Sequence, residues 1–423
     1  MPDELRQAET HSPFPVGETR ACFPALHQAG GFAFFDNAAG AQIPQAALEA
    51  VQRHLVERNV QRGGRYTRSR EVDAAIDRAR QSVALLLNAG DPAEVSFGMN
   101  ATSFIRLVSL AIGRSLGERN EIIVTDLDHE ANVATWIELE REGAAFRWWK
   151  IREDGNLHPE DLEPLLSRRT RIVACTASSN AIGSIVDVAA AARLAHEAGA
   201  EVFLDCVHYA PHAPIDVQAF GCDYLACSGY KIFSPHMGFL WGRREALERL
   251  ETFHEDFIPN RPPEKIEAGT FIYENVAGMD AAIGYLESLG RRLAANGGAG
   301  SRRENILRAM EGIREYEASL TREFLGVLER CGAEVYGIGD PALVRQRVPT
   351  FLFNVRHVAP AKVTEKLAEA GIGVRDGHMY APRLMRRLHL RPECGGVRAS
   401  LVHYNTKDEI GRFGNALEAI ARG

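Results

Sequence analysis

Lys231 and Asp205 each close a short apolar run, in CSGYKIFSPHMG (227–238) and EVFLDCV (201–207). A lysine just past a buried strand is either a solvated strand end or a covalent anchor for a carbonyl compound. A carboxylate in the matching place is either a strand-end cap or a site group. His208 follows Asp205 by three residues and reads as a satisfied core histidine or a site group. Asn180, in SSNAIG, reads as a turn residue. GMNATS (98–103) is a glycine-started turn between a strand and a helix. Its backbone N–H groups and the helix dipole suit a phosphate, though such turns are common.

The elements around these residues give the set its meaning. From about residue 74 helix-like and strand-like segments alternate: AAIDRARQSVALLLN (74–88), EVSF (94–97), SFIRLVSLAIGRSL (103–116), EIIVTDLD (121–128), RIVACTASS (171–179), DVAAAARLAHEAG (187–199), EVFLDCV, and DYLACSG (223–229). Short apolar strands separated by amphipathic helices predict an α/β fold whose mainly parallel sheet has helices on both faces. Ligands of such sheets lie beyond the carboxyl ends of the strands. Ala101, His129, Asn180, Asp205, His208 and Lys231 all fall there. A lysine, a carboxylate and a phosphate-type turn, each at a strand end, are what a pyridoxal phosphate enzyme needs. A Gly-rich joint, AANGGAGSR (294–302), precedes a long helix-like stretch (303–330) and the segments AEVYG, VPTFLFNV, GVRDG and GGVRASLVHYN. These predict a smaller α+β domain. The expected division is 24–295 for the large cofactor-binding domain, and 1–23 with 296–423 for the small one.

In order along the chain come FFDNAAGAQ, NVQRGGRYTR, GMNATS, DHEANVATW, SSNAIGSI, DCVHYAPH, CSGYKIFSPHMG, EAGT, VRDGH and VRASLVHYNTKDE. By these motifs the chain resembles the class V aminotransferase family of fold type I pyridoxal phosphate enzymes, and within it the cysteine desulfurase/selenocysteine lyase branch. The resemblance implies a seven-stranded, mainly parallel sheet and a smaller C-terminal α+β domain. It implies that Lys231 is the Schiff-base lysine and shuttles the Cα proton. Asp205 matches the carboxylate on the pyridine nitrogen, and His129 the aromatic residue stacked on the ring. Asn180 and His208 match residues near the phenolic oxygen. Ala101 and Thr102, with Ser228 and Tyr230, match the phosphate cradle. Thr270 matches a residue that reaches the phosphate of a neighbouring subunit, implying a homodimer with active sites at its interface. Arg398 matches the arginine that pairs with the α-carboxylate of a small amino-acid substrate, for which a planar guanidinium is better suited than an ammonium.

The desulfurases of that branch carry a nucleophilic cysteine in a loop R-x-G-H-H-C. Here the loop reads VRDGHMYAP: Arg375, Gly377 and His378 align, and Tyr380 stands at the cysteine position. A thiolate attack on substrate sulfur therefore lacks its nucleophile. Cys394, four residues before Arg398, is the nearest replacement in sequence. Cys175, Cys206, Cys222 and Cys227 lie in or beside apolar strands and read as buried and inert. Tyr380 reads as a general acid, a pocket wall or simple loop packing, and Arg375 as a contact for a substrate side chain or second carboxylate. The leading expectation is a C–S or C–Se lyase without the usual thiol, whose leaving group departs unaided, as sulfinate or selenium. An aminotransferase or a Cα epimerase uses the same core residues, and a non-catalytic cofactor-holding partner in sulfur trafficking is a third class.

Composition narrows the setting. The chain has 423 residues, 45% hydrophobic and 25% charged, with a formal net charge of −7. No clustered basic face of the kind that binds nucleic acid is evident. The exception is residues 58–70, with five arginines, read as a solvated face or as part of the substrate entrance and subunit interface. No apolar run approaches the ~20 residues that span a bilayer. Seven scattered cysteines with no C-x-x-C pair predict neither a disulfide framework nor a zinc site, and the expected compartment is the cytoplasm.

Overall fold

The computed structural model describes residues 14–267, 269–294 and 300–422. Most of the Gly-rich joint and the first 13 residues fall outside them. The two strands that carry Asp205 and lead to Lys231 are neighbours: Glu201–Asp205 pairs parallel with Tyr224–Ser228, with Asp205 opposite Ala226. On one side follow Thr170–Thr176, Glu121–Thr125 and Ala145–Trp149, all parallel. On the other side lie Gly238–Gly242, which runs antiparallel, and then Val95–Gly98. The sheet has seven strands and is mainly parallel, as expected.

Val95–Gly98 is antiparallel to the one reversed strand and so points the same way as the others. Six chain exits therefore gather at one sheet edge, and five of them carry the residues singled out above. The residue patterns mark five of the seven strands. Ala145–Trp149 is an edge strand with exposed alternate positions, and Gly238–Gly242 is flanked by glycines, so neither carries the apolar β-branched signature. Gly238 is dictated by crowding, because a Cβ there would meet the Asn100 backbone at 2.6 Å. That contact presses the reversed strand against the turn expected to hold phosphate.

Two helices begin earlier than their apolar spacing suggests. Ala101–Arg114 starts directly after Asn100, whose side chain accepts from Ser103 N at 2.9 Å and caps it. Thr67–Leu87 takes in the end of the arginine-rich stretch.

A second sheet has four antiparallel strands in the order Arg375–Gly377, Gly396–Ser400, Thr350–Asn354, Glu334–Tyr336. The helices Arg302–Arg330 and Lys407–Arg422 pack on it through Phe324, Phe351, Phe353 and Phe413, all fully buried. Each such ring contributes roughly 1.5–3 kcal/mol. Strand alternation turns Arg398 to the opposite face, toward the large sheet. Residues 33–36 join this second sheet's side: Ala33 pairs with Ile372, and Asp36 bridges Ser400. The N-terminal segment touches both parts, with Arg20 on Glu409 and Phe14 stacked on Tyr316, while Phe23 packs on Phe233 and Tyr285.

Candidate active site

Lys231 ends a single 3-10 turn, Gly229–Lys231, that begins directly at the end of its strand. The turn is closed by Gly229 N on Met237 O (2.8 Å) and followed by Phe233 in the left-handed region (φ 63°). Left-handed backbone at a bulky residue costs energy and concentrates at functional sites. Lys231 is 8% exposed, with its Nζ 5.7 Å from the centre of the Tyr230 ring. Burial, reinforced by the Arg398 guanidinium, lowers its ammonium to about 8. A lysine near that value supplies free amine at neutral pH, as a Schiff-base or proton-shuttling lysine requires.

Asp205 is buried and held by Val207 N at 2.9 Å. Burial raises its carboxyl, with that hydrogen bond and Lys231 opposing. His129 is driven to about 4, first by burial and then by Lys231 and Arg398, so its ring is neutral. Directly before it, Asp128 accepts from Thr125, Asn132 and Thr176 N, and burial pushes it up to about 8. His208 is neutral as well, pushed well down by burial. The Ser228 hydroxyl oxygen accepts from Ala101 N at 3.1 Å, which ties the Lys231 turn to the start of the capped helix. Thr102 is the next residue of that helix, and Tyr230 stacks on His236 at 4.9 Å.

Arg398 is 1% exposed. Its guanidinium donates to Asn180 O (2.9 Å) and to Asp36 Oδ1 (2.9 Å). Arg375 grips the other oxygen of Asp36, at 2.8 and 3.0 Å. Asp36 thus braces both arginines, a role that its place in FFDNAAGAQ does not announce. Asn180 is presented by residues 179–184, a turn whose Gly183 is left-handed (φ 80°). Its amide nitrogen donates to Met379 O at 2.6 Å, which ties it to the loop carrying Tyr380.

That loop is pinned closely. Met379 and Tyr380 are both left-handed (φ 52° and 56°). Tyr380 O accepts from Glu130 N (2.7 Å), Tyr380 N donates to His378 Nδ1 (3.0 Å), and Glu130 pairs with Arg383. The Tyr380 ring lies over His129, 5.7 Å between centres and tilted 32°, and His378 stands edge-on to it. Thr270 makes its contact elsewhere: it is exposed and accepts from Gln61 at 2.6 Å. Cys175, Cys206, Cys222 and Cys227 are buried, their thiols pushed up by burial, and Cys394 is exposed.

Among the described residues, Asn180 Oδ1, His208 Nδ1 and Arg398 Nε are buried polar atoms with no partner. Buried polar atoms are almost always paired. Unpaired ones, gathered round a buried lysine and a buried carboxylate, mark the space of a polar group, and these residues fit pyridoxal phosphate with its substrate.

Comparison with known proteins decides the family. The family model described as Aminotransferase class-V matches residues 33–413. The chain belongs to the class V aminotransferase family. As a member it is a pyridoxal phosphate-dependent enzyme with the fold type I architecture. It is 33% identical to an aminotransferase-like protein of Gibberella zeae, over 97% of this chain and 99% of that one. It is also 33% identical to a probable cysteine desulfurase of Synechocystis, covering 97% and 96%. Among solved structures it resembles a cysteine desulfurase from Thermococcus onnurineus, with a TM-score of 0.85 and 25% identity over 97% of this chain and 99% of that one. The cysteine desulfurase CsdA of Escherichia coli follows at TM-score 0.80 and 28% identity, covering 97% and 99%.

The class V chain carries functional-looking residues that its motifs did not single out: Asp36, Asp128, Thr350 and the Met379 carbonyl. Asp36 and Asp128 sit inside or beside quoted motifs, so an acidic residue within a matching segment was the available signal. Thr350 and Met379 act through long-range contacts and left no such signal.

Proposed function

We propose that this chain is a cysteine desulfurase-like lyase that breaks a C–S or C–Se bond of a small amino acid without a loop thiol. The observation that carries this reading is Tyr380, seated by strained, hydrogen-bonded backbone over His129 at the position of the desulfurase cysteine. Pyridoxal phosphate, when bound, supplies the electron sink for charge left on the substrate. Asp205 would meet its ring nitrogen, His129 its ring face, and Asn180 and His208 its phenolic oxygen. Ala101, Thr102, Ser228 and Tyr230 would hold its phosphate, and Thr270 would reach across the interface of a homodimer.

Arg398 takes the substrate α-carboxylate, with Asp36 and Asn180 O fixing the plane of its guanidinium. Lys231, with free amine available near neutral pH, accepts the Cα proton. Arg375, His378 and Tyr380 line the side-chain end. With a sulfinate side chain, the Cβ–S bond breaks with its electron pair on Cβ, which takes a proton, and sulfur leaves as sulfur dioxide. No thiol is consumed.

The homodimer is part of this reading through the match of Thr270 to a residue that reaches the phosphate of a neighbouring subunit. Among the described residues no helix is long and apolar enough to cross a membrane, and the proposed location is the cytoplasm. The proposed units are 24–295 and 1–23 with 296–423, with residues 33–36 reaching across to the second sheet.

Proton NMR of the cofactor-loaded protein in D₂O, with L-cysteine and with its sulfinate, tests the reading. Alanine from the sulfinate, formed faster than from cysteine, is expected. Exchange of the Cα proton with no alanine from either compound would replace the lyase by an epimerase or aminotransferase.

A further inference from the structure

His208 owes its orientation to the second sheet. Its Nε2 lies 2.9 Å from the hydroxyl of Thr350, and both residues are buried. Thr350 stands on Thr350–Asn354, opposite Ser400, and Leu352 on the same strand is opposite Arg398. Strand alternation puts Thr350 on the face that delivers Arg398 to the site. Around His208, His212 stands edge-on at 5.3 Å and is itself held by Glu317 at 2.8 Å, while Lys231 and Arg398 act on it through space.

The proton position in this pair follows from counting partners. A neutral imidazole has one N–H and one bare nitrogen, and a hydroxyl has one hydrogen to place. Suppose His208 Nε2 donated to Thr350. The Thr350 hydrogen would then have no acceptor among the described residues, and His208 Nδ1 would be a second orphan, bare and buried. If Thr350 donates to Nε2, its hydrogen is placed and the proton of His208 moves to Nδ1. Only one orphan is left, an N–H donor. The second arrangement leaves fewer buried groups unpaired and is favoured.

We propose that Thr350 is a positioning residue that fixes His208 in the Nδ1–H form, so that His208 donates from Nδ1 to the phenolic oxygen of the cofactor. This rests on the reading above that the cofactor is bound at Lys231. In this arrangement the second sheet delivers two groups from adjacent strands: Arg398 for the substrate and Thr350 for the histidine.

The visible absorption of the lysine-bound cofactor, titrated against pH in the holoenzyme, provides the test. A donor on the phenolic oxygen lowers the midpoint of that titration, so Thr350→Val is expected to raise it by about 1 pH unit. Thr350→Ser keeps the hydroxyl and should return the wild-type midpoint. In a His208→Gln background Thr350→Val should add no further shift. An unchanged midpoint in Thr350→Val, or the same shift in Thr350→Ser, overturns the proposal. If the valine variant does not fold, Thr350→Ala is read in its place against the same two outcomes. Failure of the wild-type protein to form the absorbing species would overturn the cofactor site at Lys231 instead, so the two failures are distinguishable.

Discussion

Replacing Lys231 with methionine is expected to stabilise the cofactor-free protein while removing its chemistry. Lys231 is buried, and among the described residues no carboxylate pairs with it at ion-pair distance. Burial, with Arg398 adding to it, takes its ammonium from 10.5 to about 8. At ~1.4 kcal/mol per pH unit, keeping Lys231 charged at neutral pH costs the fold about 3 kcal/mol. Methionine has similar reach and no charge to bury. The gain is not complete, because Asp205 loses the cation that opposes its burial and then takes up a proton. A net gain of about 2 kcal/mol is expected. Its pH dependence has a definite sign. The folded value lies below the unfolded one, so the cost is fully present below about pH 8 and is relieved as pH rises toward 10.5. Between about pH 7 and about pH 9.5 the advantage of the variant should therefore shrink by about 2 kcal/mol. Urea unfolding of the two cofactor-stripped proteins at both pH values measures it. A variant less stable than wild type at neutral pH, or a gap that does not narrow, would mean that Lys231 is not buried at a cost.

Three other substitutions probe the supports of the site. Asp36→Ala leaves buried Arg398 without its carboxylate and should lower stability by about 3 kcal/mol, read by urea unfolding, and raise KM for the amino acid more than it lowers kcat. Tyr380→Cys places a thiol on the pinned loop and should raise alanine formation from L-cysteine at least about tenfold, with a persulfide detectable by mass spectrometry on the introduced thiol. Gly183→Ala combines a left-handed φ of 80° with a Cβ 2.6 Å from Thr350 O, and should cost about 2–3 kcal/mol in the same unfolding assay.

The strands carrying Asp205 and leading to Lys231 were legible because each is a short apolar run in a sheet buried on both faces. Patterning of that kind survives in a single sequence. Gly238–Gly242 was not, since it begins and ends on glycine and lacks the β-branched pattern, and its place is set by pairing with Val95–Gly98 and Tyr224–Ser228. The same division holds in the site. Lys231 and Asp205 announce themselves as charges at the ends of apolar strands. Asp36 and Thr350 do not, because their contacts exist only where residues far apart in the chain meet, with Asp36 on Arg398 and Thr350 on His208. Tyr380 was visible as a departure from the desulfurase motif, but its left-handed backbone and its seat over His129 are tertiary facts. The helix Thr67–Leu87 begins inside a stretch read as a solvated face or as part of the substrate entrance and subunit interface.

Lys231 is the proposed cofactor lysine. Borohydride reduction of the cofactor-loaded protein, followed by digestion and mass spectrometry, tests it most directly. A single pyridoxyl phosphate adduct is expected, on the peptide containing Lys231, and none in the Lys231→Met variant. An adduct on any other lysine, or a variant that retains it, would place the cofactor elsewhere.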